Sequence, residues 1–364
     1  MSLIRRQPTF AVALVFALTV TALVADVADH RASSEFYGVS GGNVNDRSRA
    51  FCCSGTLGAL VRDSNGTLHI LSNNHVLARK GQASFGEDIS QPGMIDSACQ
   101  IAEVVADLSA YPPLGSSNVD AAIAALRSGT MSASGQILDI GVPSGTTVVP
   151  TVGLAVAKAG RTTGLTAGSG GSINTNVNVQ YQQGCGSGKK FVVSYVNQIV
   201  INSSTFSAGG DSGSLIVTNN SDHNPVGLLF AGSSTTTIAN PIGEVLTRVG
   251  TALGRSVSFD LAGSASGLVI ETESALSPEE ISRATQAKDA HAARLMSDPA
   301  VVAVGVGEDA ENPGRGAVVV YLQRGLARAA IARDLDGVAT RIIETDPIVA
   351  FGWNESAGTS CQAR

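Results

Sequence analysis

The stretch FSAGGDSGSLIV, residues 206–217, surrounds Ser212 with glycines and an aspartate immediately ahead of an apolar run. Two interpretations compete. The stretch is a tight turn between strands, for which glycine supplies the backbone, or it holds a serine whose hydroxyl attacks a carbonyl. A serine hydroxyl is a poor nucleophile at neutral pH, so the second interpretation requires a base, a group that orients the base, and donors for the oxyanion.

Histidine is the natural base, and the chain has only five. His75 follows the apolar run of HILSNNHVLA directly, at the start of a connection where a side chain can project into a cleft. His30 lies close to the N-terminal apolar run, His69 lies within a strand pattern, His223 in a turn-rich stretch and His291 in a charged helix pattern. These positions make His75 the candidate base.

Asp120 is the candidate orienting group. It lies in SSNVDAAIAAL, at a polar-to-apolar junction where a carboxylate can be partly buried beside the base and fix its tautomer. The same pattern also fits a capping aspartate at the start of a helix beginning AAIAAL. The spacing leaves both interpretations open.

Composition indicates a mainly β protein. The 364 residues include 41 glycines, 4% aromatic residues and abundant Val, Ser and Thr, which is typical of many short strands joined by tight turns. Gly- and Ser-punctuated apolar runs predict a sandwich or barrels. A net charge of -6 without a basic cluster argues against nucleic acid as a partner.

The N-terminus predicts export. Arg5 and Arg6 precede an apolar run from Phe10 to Ala25, so residues 1–25 resemble a secretory signal, with a membrane anchor as the alternative. We expect a secreted or periplasmic protein without stable membrane insertion after signal removal.

The cysteines are expected to form disulfides in such a compartment. Their odd number leaves at least one thiol free or paired between chains; they are Cys52, Cys53, Cys99, Cys185 and Cys361. A metal site at Cys52, Cys53 and His75 is the alternative, but no C-x-x-C or H-x-H spacing supports it. We therefore predict neither a metal nor a cofactor.

Two regions are predicted. In the first, two strands flank the turn RDSNG as a hairpin, and the region ends near residue 262. A small α/β domain follows at about 265–355. It begins with the S-P-x-E helix start at Ser277, continues with strands AVVAVGVG and AVVVYLQ, and ends with a short Ala/Arg helix near 326–335 and a strand near 338–344. No site is assigned there.

The order of LSNNHVLA, NVDAAIA and GGDSGS resembles the trypsin/chymotrypsin-like serine proteases. AKAGRTTGLTAG and PVGLLFAGSSTTTIANPIGEVL resemble segments of bacterial streptogrisin-type members, and CCSGTLGALV is similar to a trypsin-like group of bacteria and plant narrow-leaf proteins. The resemblance covers residues 38–262. It implies a chymotrypsin-like double β-barrel, here followed by the small C-terminal α/β domain.

This resemblance assigns roles. Ser212 would be the nucleophile, His75 the general base and then acid, and Asp120 the orienting carboxylate. The amides of Gly210 and Ser212 would form the oxyanion hole. Asp211 would pair with a buried positive group and brace the loop.

The sequence departs from the family pattern close to these residues. Val76 stands where many members have a cysteine, Asn73 and Asn74 replace small residues, and Ser214 replaces a glycine. Phe230 stands where the family usually has a serine that helps to hold the aspartate. One hydrogen bond to Asp120 is therefore without an expected donor.

Substrates are expected to be proteins or peptides. Phe206, six positions before Ser212, is not an aspartate, so no counter-ion for a Lys or Arg side chain is evident. The strand Phe230, Ala231, Gly232 should bind extended substrate backbone and leave room for a small-to-medium apolar residue before the scissile bond.

A mature N-terminus at Val39, within YGVSGGNVND, is a further hypothesis, in which the freed amine pairs with Asp211. The sequence thus predicts a secreted serine endopeptidase. The alternative is a catalytically silent binding or scaffold protein with the same barrels. The oligomeric state is not indicated.

Overall fold

The computed structural model describes residues 29–31, 35–49, 51–261 and 269–350. The predicted signal at 1–25 and Cys361 lie outside these residues. Among the described helices, none is both long and apolar enough to cross a bilayer.

The first sheet has eight strands in the order β15-β3-β4-β7-β6-β5-β1-β2. Their bounds are β1 Val39–Asn43, β2 Gly55–Leu57, β3 Ala59–Asp63, β4 Leu68–Ser72, β5 Asp88–Gln91, β6 Glu103–Ala110, β7 Ala122–Leu126 and β15 Val257–Ser258.

A second sheet contains the strands that follow in the chain. They are β9 Ala155–Gly160, β10 Gly164–Gln182, β11 Lys190–Asn202, β12 Leu215–Thr218, β13 Pro225–Gly232, β14 Thr236–Pro241, β17 Val301–Glu308, β18 Gly316–Gln323, β19 Asp334–Leu335, β20 Val338–Thr345 and β21 Val349–Ala350. A separate pair joins β8 Thr147–Val148 to β16 Val269–Ile270.

Helices are few. They are α1 Asn74–Leu77, α2 Ile242–Leu253 and α3 Pro278–Leu295, with short 3-10 turns at Arg79–Gly81 and Met94–Asp96. The two large sheets curl, and the mainly β, chymotrypsin-like double-barrel class expected from the sequence is confirmed.

The hairpin predicted around RDSNG is present. β3 and β4 pair antiparallel, with Val61 opposite His69. The turn is closed by the Asp63 carboxylate, which accepts the backbone N–H groups of Asn65 and Thr67, both at 2.9 Å. This hairpin directs the chain toward His75, immediately beyond β4.

Asp120 does not cap a helix. Residues 122–126 form β7, which pairs with β4 on one side and with β6 on the other. Neighbouring strands therefore satisfy the backbone of AIAAL, and the helix-cap alternative is wrong. Asp120 instead sits at the entry of a central strand.

The C-terminal region begins as predicted. Helix α3 starts at Pro278, and the Ser277 hydroxyl accepts the Glu280 N–H at 3.3 Å. The predicted strands correspond to β17, β18 and β20. Because β17 pairs with β10, the sheet of this region is continuous with that of the second barrel. The boundaries 38–262 and 265–355 stay predictions.

The short Ala/Arg helix predicted near 326–335 is wrong. This segment is exposed irregular chain that ends in β19. Ala329 donates its N–H to the Asp298 carboxylate at 2.8 Å, and Leu335 pairs with Val338 in a hairpin. Helix propensity is a weak preference that such tertiary contacts override.

Candidate active site

The segment between β4 and α1 sets the position of His75. The Asn73 side chain donates to the Asp120 carbonyl at 2.7 Å, and the Asn74 side chain donates to the Pro112 carbonyl at 2.9 Å. All three residues from Asn73 to His75 are buried. The two asparagines that depart from the family pattern thus fix the chain beside the histidine.

His75 and Asp120 form a close buried pair. The Nδ1 atom of His75 lies 2.6 Å from Asp120 Oδ2, and the His75 backbone N–H donates to Oδ1 at 3.1 Å. An ionised carboxylate only accepts hydrogen bonds, so in the neutral imidazole Nδ1 carries the proton and Nε2 has the lone pair. This tautomer can accept a proton from a nucleophile.

Tyr181, which sequence reasoning missed, completes the contacts of Asp120. Its hydroxyl donates to Asp120 Oδ2 at 2.8 Å and lies 2.6 Å from the Tyr195 hydroxyl. Burial raises the pKa of Tyr181, so the phenol remains protonated and can donate. Tyr181 thus supplies the donor that was expected to be missing at Phe230.

Phe230 has a packing role instead. Its ring meets that of Tyr195 edge-on, with centroids 4.9 Å apart.

Tyr181 lies on β10, whose alternating residues face opposite sides of the sheet. The alternation of VNVQYQ in the sequence places Tyr181 on the buried side, but only the register shows that this side faces Asp120.

Ser212 lies in the loop before β12, next to the segment that carries His75. The Ser212 carbonyl accepts the Thr56 N–H at 2.8 Å. A Cβ built on Gly55 would lie 2.6 Å from a Val76 methyl and 2.9 Å from the Ser212 oxygen. Gly55 therefore packs against both Ser212 and Val76, the residue that follows His75.

The Ser212 hydroxyl does not bond to His75 in this structure. It donates to the Phe230 carbonyl at 3.3 Å. Among the described residues, the buried Nε2 atom of His75 has no hydrogen-bond partner. Catalytic hydrogen bonds commonly tighten only when substrate is bound, and rotation about one side-chain bond would move this hydroxyl away from Phe230.

The backbone before Ser212 requires glycine. Gly210 has φ +101°, and a Cβ there would meet Thr162 Oγ1 at 2.4 Å. The Gly210 carbonyl accepts the Thr56 hydroxyl at 2.9 Å, which fixes the peptide plane. Within the described part of the chain, the N–H groups of Gly210 and Ser212 bond to no carbonyl. Their role as an oxyanion hole stays a prediction.

Asp211 is fully buried and anchors this loop. Its carboxylate accepts the Thr162 N–H at 2.8 Å, the Thr163 hydroxyl at 2.7 Å and the Ala208 N–H at 2.9 Å. The buried ammonium of Lys158 lies 3.5 Å away. Burial lowers the pKa of Lys158, and the Asp211 carboxylate partly offsets that shift.

The positive partner of Asp211 in the uncleaved chain is therefore Lys158, from the AKAGRTTG segment. Val39 lies buried in β1, where it pairs with Leu57. The chain described here is uncleaved before Val39, so a mature N-terminus at that residue stays a prediction.

The predicted substrate-binding residues divide into two groups. Phe206 is fully buried in a cluster that includes Val156, Ile216 and Leu229, so its side chain belongs to the core of the second barrel. Ala231 and Gly232 form the end of β13 beyond Phe230. Of the predicted substrate-binding residues, Phe230 contacts Ser212 through its carbonyl, and the substrate-binding roles stay predictions.

Four of the cysteines form disulfides, as expected. Cys52 pairs with Cys99, and Cys53 pairs with Cys185. The metal alternative at Cys52, Cys53 and His75 is wrong because both sulfur atoms are already bonded. The sulfur of Cys53 also lies close to Asp46 and Cys185 among the described residues, but its disulfide removes it as a ligand.

Comparison with known proteins agrees with this geometry. Residues 58–249, just over half of the chain, match peptidase family S64. A search of curated proteins finds no match.

Solved structures with a similar fold are bacterial proteases. A glutamic-acid-specific serine protease that uses a histidine triad in substrate binding is 22% identical, with 61% of this chain and 99% of that chain covered and a TM-score of 0.42. Cellulomonas bogoriensis chymotrypsin is 19% identical, with 61% and 96% covered and a TM-score of 0.39. Thermobifida fusca protease A is 18% identical, with 62% and 98% covered and a TM-score of 0.39.

Proposed function

The chain belongs to peptidase family S64 and is a serine peptidase, and we propose that it cleaves internal peptide bonds with Ser212, His75 and Asp120 through an acyl-enzyme. The observation that carries this proposal is the 2.6 Å contact between His75 Nδ1 and Asp120, which leaves Nε2 of His75 free to act as a base. No other described group pairs with that nitrogen.

In the first half of the reaction, the Ser212 hydroxyl leaves the Phe230 carbonyl and transfers its proton to His75 Nε2 while Oγ bonds to the substrate carbonyl carbon. The negative charge on the carbonyl oxygen is stabilised by the N–H groups of Gly210 and Ser212. Loss of one such donor typically costs about 3 kcal/mol of transition-state stabilisation. His75 then protonates the leaving amine as the C–N bond breaks.

Water completes the second half. His75 removes a proton from water, the resulting hydroxide attacks the ester, and Ser212 recovers its proton as the carboxylate product leaves. Asp120 holds the imidazolium in both steps. Tyr181 supports it by donating to the same carboxylate oxygen that contacts the ring.

Lys158 and Asp211 act on the conformation of the loop that carries Ser212, and not on the reacting atoms. Asp211 directly precedes Ser212, and its buried ion pair with Lys158 holds the turn whose amides would face the oxyanion. Removing one partner of a buried ion pair leaves an uncompensated charge. We therefore expect these two residues to determine whether the oxyanion hole forms.

The two disulfides support a location outside the reducing cytosol. The proposed protein is secreted or periplasmic after removal of residues 1–25, with a protease domain at 38–262 and an added domain at 265–355. Its substrates are proteins or peptides with a small-to-medium apolar residue before the scissile bond, bound along Ala231 and Gly232.

A catalytically silent scaffold is the second candidate. It is favoured by one observation, the bond from the Ser212 hydroxyl to Phe230 instead of to His75. Digestion of a peptide library by the wild type, Ser212→Ala and His75→Ala separates the two. If the protein is an enzyme, kcat should fall about 10⁶-fold in Ser212→Ala. Equal, background-level cleavage by the wild type and both variants supports the scaffold. A strong preference for Lys or Arg would contradict the proposed specificity.

A further inference from the structure

The edge of β13 beside the nucleophile is already occupied by the chain's own C-terminal segment. Strand β21 pairs antiparallel with it, so that Gly232 lies opposite Val349 and Ala231 lies opposite Ala350. Extended peptides bind to such an edge by adding a strand. The backbone positions proposed for substrate are therefore taken by residues 349 and 350.

The direction of this segment is that of a substrate approaching Ser212. From Val349 to Ala350 the chain advances along β13 toward Phe230. The Phe230 carbonyl is the group that accepts the Ser212 hydroxyl at 3.3 Å. The C-terminal end of the segment therefore points toward Ser212. The part of a substrate that precedes the scissile bond must have the same direction.

Several contacts hold the segment in place. The Thr345 hydroxyl lies 2.6 Å from that of Ser233, and the Gln180 N–H donates to the Ile348 carbonyl at 3.0 Å. Ile348 is 2% exposed and belongs to the apolar cluster that contains Tyr195 and Phe230. The segment is therefore seated between β10 and β13 on both its backbone and its side chains.

The end of the segment reaches a pocket beside His75. Ala350 lines the same narrow pocket as His75 and Tyr181. His75 and Ser212 are both buried. A peptide that adds to β13 at Ala231 and Gly232 has to displace Val349 and Ala350.

We propose that residues 345–350, here called the C-terminal clamp, are an intramolecular, substrate-like ligand of this groove, and that the clamp must leave before an external peptide is cleaved. The inference rests on the proposed function of the same site. It also describes the peptides that the groove accepts, namely extended chains with a β-branched residue opposite Gly232 and a small residue opposite Ala231.

A tethered ligand competes at an effective concentration on the order of millimolar. An external peptide with a millimolar or weaker Kd therefore competes poorly with the bound clamp for the edge of β13. Turnover of peptides by the intact chain is accordingly slow, and loosening the clamp raises it without any change at Ser212 or His75.

The test uses the full chain with Ile348→Asp, which places a charge in the apolar cluster and expels the clamp. The control is Ile342→Asp, because Ile342 is 43% exposed on the neighbouring β20. We expect kcat/KM for an extended peptide and the rate of fluorophosphonate labelling to rise by about tenfold or more in Ile348→Asp and to stay at the wild-type value in the control.

Val349→Pro serves as a second variant in case Ile348→Asp does not fold, because proline weakens strand pairing at a residue that is only partly buried. Circular dichroism reports whether each variant is folded. Equal labelling of Ser212 in wild type and both folded variants overturns the clamp but leaves the proposed protease intact. Failure of every folded form to be labelled overturns the proposed function, and the clamp with it.

A synthetic peptide of residues 344–350, ETDPIVA, provides an independent arm. It should inhibit the Ile348→Asp variant competitively against the extended peptide. Absence of inhibition at millimolar peptide, with active variant present, contradicts the proposal that the clamp binds as a substrate does.

Discussion

Two buried aspartate–histidine pairs lie at opposite ends of β4, and they differ in what surrounds the histidine and the carboxylate. Within the strand, His69 Nε2 lies 3.3 Å from Asp63. Just beyond the strand, His75 Nδ1 lies 2.6 Å from Asp120. In both pairs the second ring nitrogen is buried without a hydrogen-bond partner among the described residues, but His75 also lines a pocket together with Tyr181 and Ala350.

The two carboxylates are also held differently. Asp63 accepts two turn N–H groups and contacts the Arg255 guanidinium at 3.1 Å, so it organises a hairpin. Asp120 instead accepts the Tyr181 hydroxyl. An aspartate beside a histidine is therefore not enough to make a catalytic base. The second pair is distinguished by the Tyr181 hydroxyl on its carboxylate and by the pocket that its histidine lines.

The largest expected effect is on Asp120. Asp120→Asn should lower kcat about 10⁴-fold, because an amide no longer fixes the histidine tautomer or stabilises the imidazolium. Steady-state hydrolysis of an extended peptide measures the change, and circular dichroism checks that the variant is folded. A loss of less than tenfold would show that this pair has no special role.

The matched change in the other pair should affect stability instead. Asp63→Asn removes the carboxylate oxygen shared by His69 and Arg255, and we expect the free energy of unfolding to fall by about 1–3 kcal/mol. Urea denaturation measures that loss. Activity of the folded variant should match the wild type, and a large fall in kcat would contradict the division of roles between the pairs.

Tyr181→Phe tests the donor that distinguishes Asp120 from Asp63. Losing a hydrogen bond to a charged group costs about 1.5 kcal/mol, which corresponds to a roughly tenfold fall in kcat. Tyr195→Phe is the control, since its hydroxyl contacts Tyr181 and is not itself bonded to Asp120. Equal effects of the two substitutions would argue against a direct role for Tyr181.

A smaller effect is expected in the pH dependence of stability. Burial lowers the pKa of His69, and Asp63 only partly offsets this. The unfolded state, with a histidine pKa near 6.5, therefore binds a proton at a pH where folded His69 does not. The contribution of His69 to the free energy of unfolding is therefore complete above about pH 6.5. It decreases as the pH falls toward the lower pKa of His69 in the folded state.

The His69→Gln variant tests this expectation. The slope of the free energy of unfolding below pH 6.5 should flatten by at most about 1.4 kcal/mol per pH unit. Urea denaturation at a series of pH values above the range in which carboxylates titrate measures it. An unchanged slope would show that His69 titrates alike in both states.

The comparison also shows what the sequence can reveal. Order and local pattern indicate His75, Asp120 and Ser212, because each stands at a junction between an apolar run and a polar connection. His69 lies inside the apolar run, and its pairing with Asp63 follows from hairpin register. Motif spacing carries no information about that contact.

Contacts between distant segments were missed for the same reason. Tyr181 meets Asp120 and Lys158 meets Asp211 only through the pairing of β10 and β9 with their neighbouring strands. Val349 meets Gly232 only through the return of the chain from the C-terminal region. The helix predicted near 326–335 is wrong because tertiary contacts of Ala329 and Leu335 override a weak propensity. A local hairpin was predictable from its turn, whereas pairing between distant strands was not.

Reaction with a fluorophosphonate probe, followed by mass mapping of the modified residue, tests the central claim most directly. The account predicts a single adduct on Ser212 in the wild type and in Ile348→Asp, faster in the latter, with almost none in His75→Ala and none in Ser212→Ala. Modification elsewhere, or equal modification of Ser212 with and without the His75 imidazole, would contradict it.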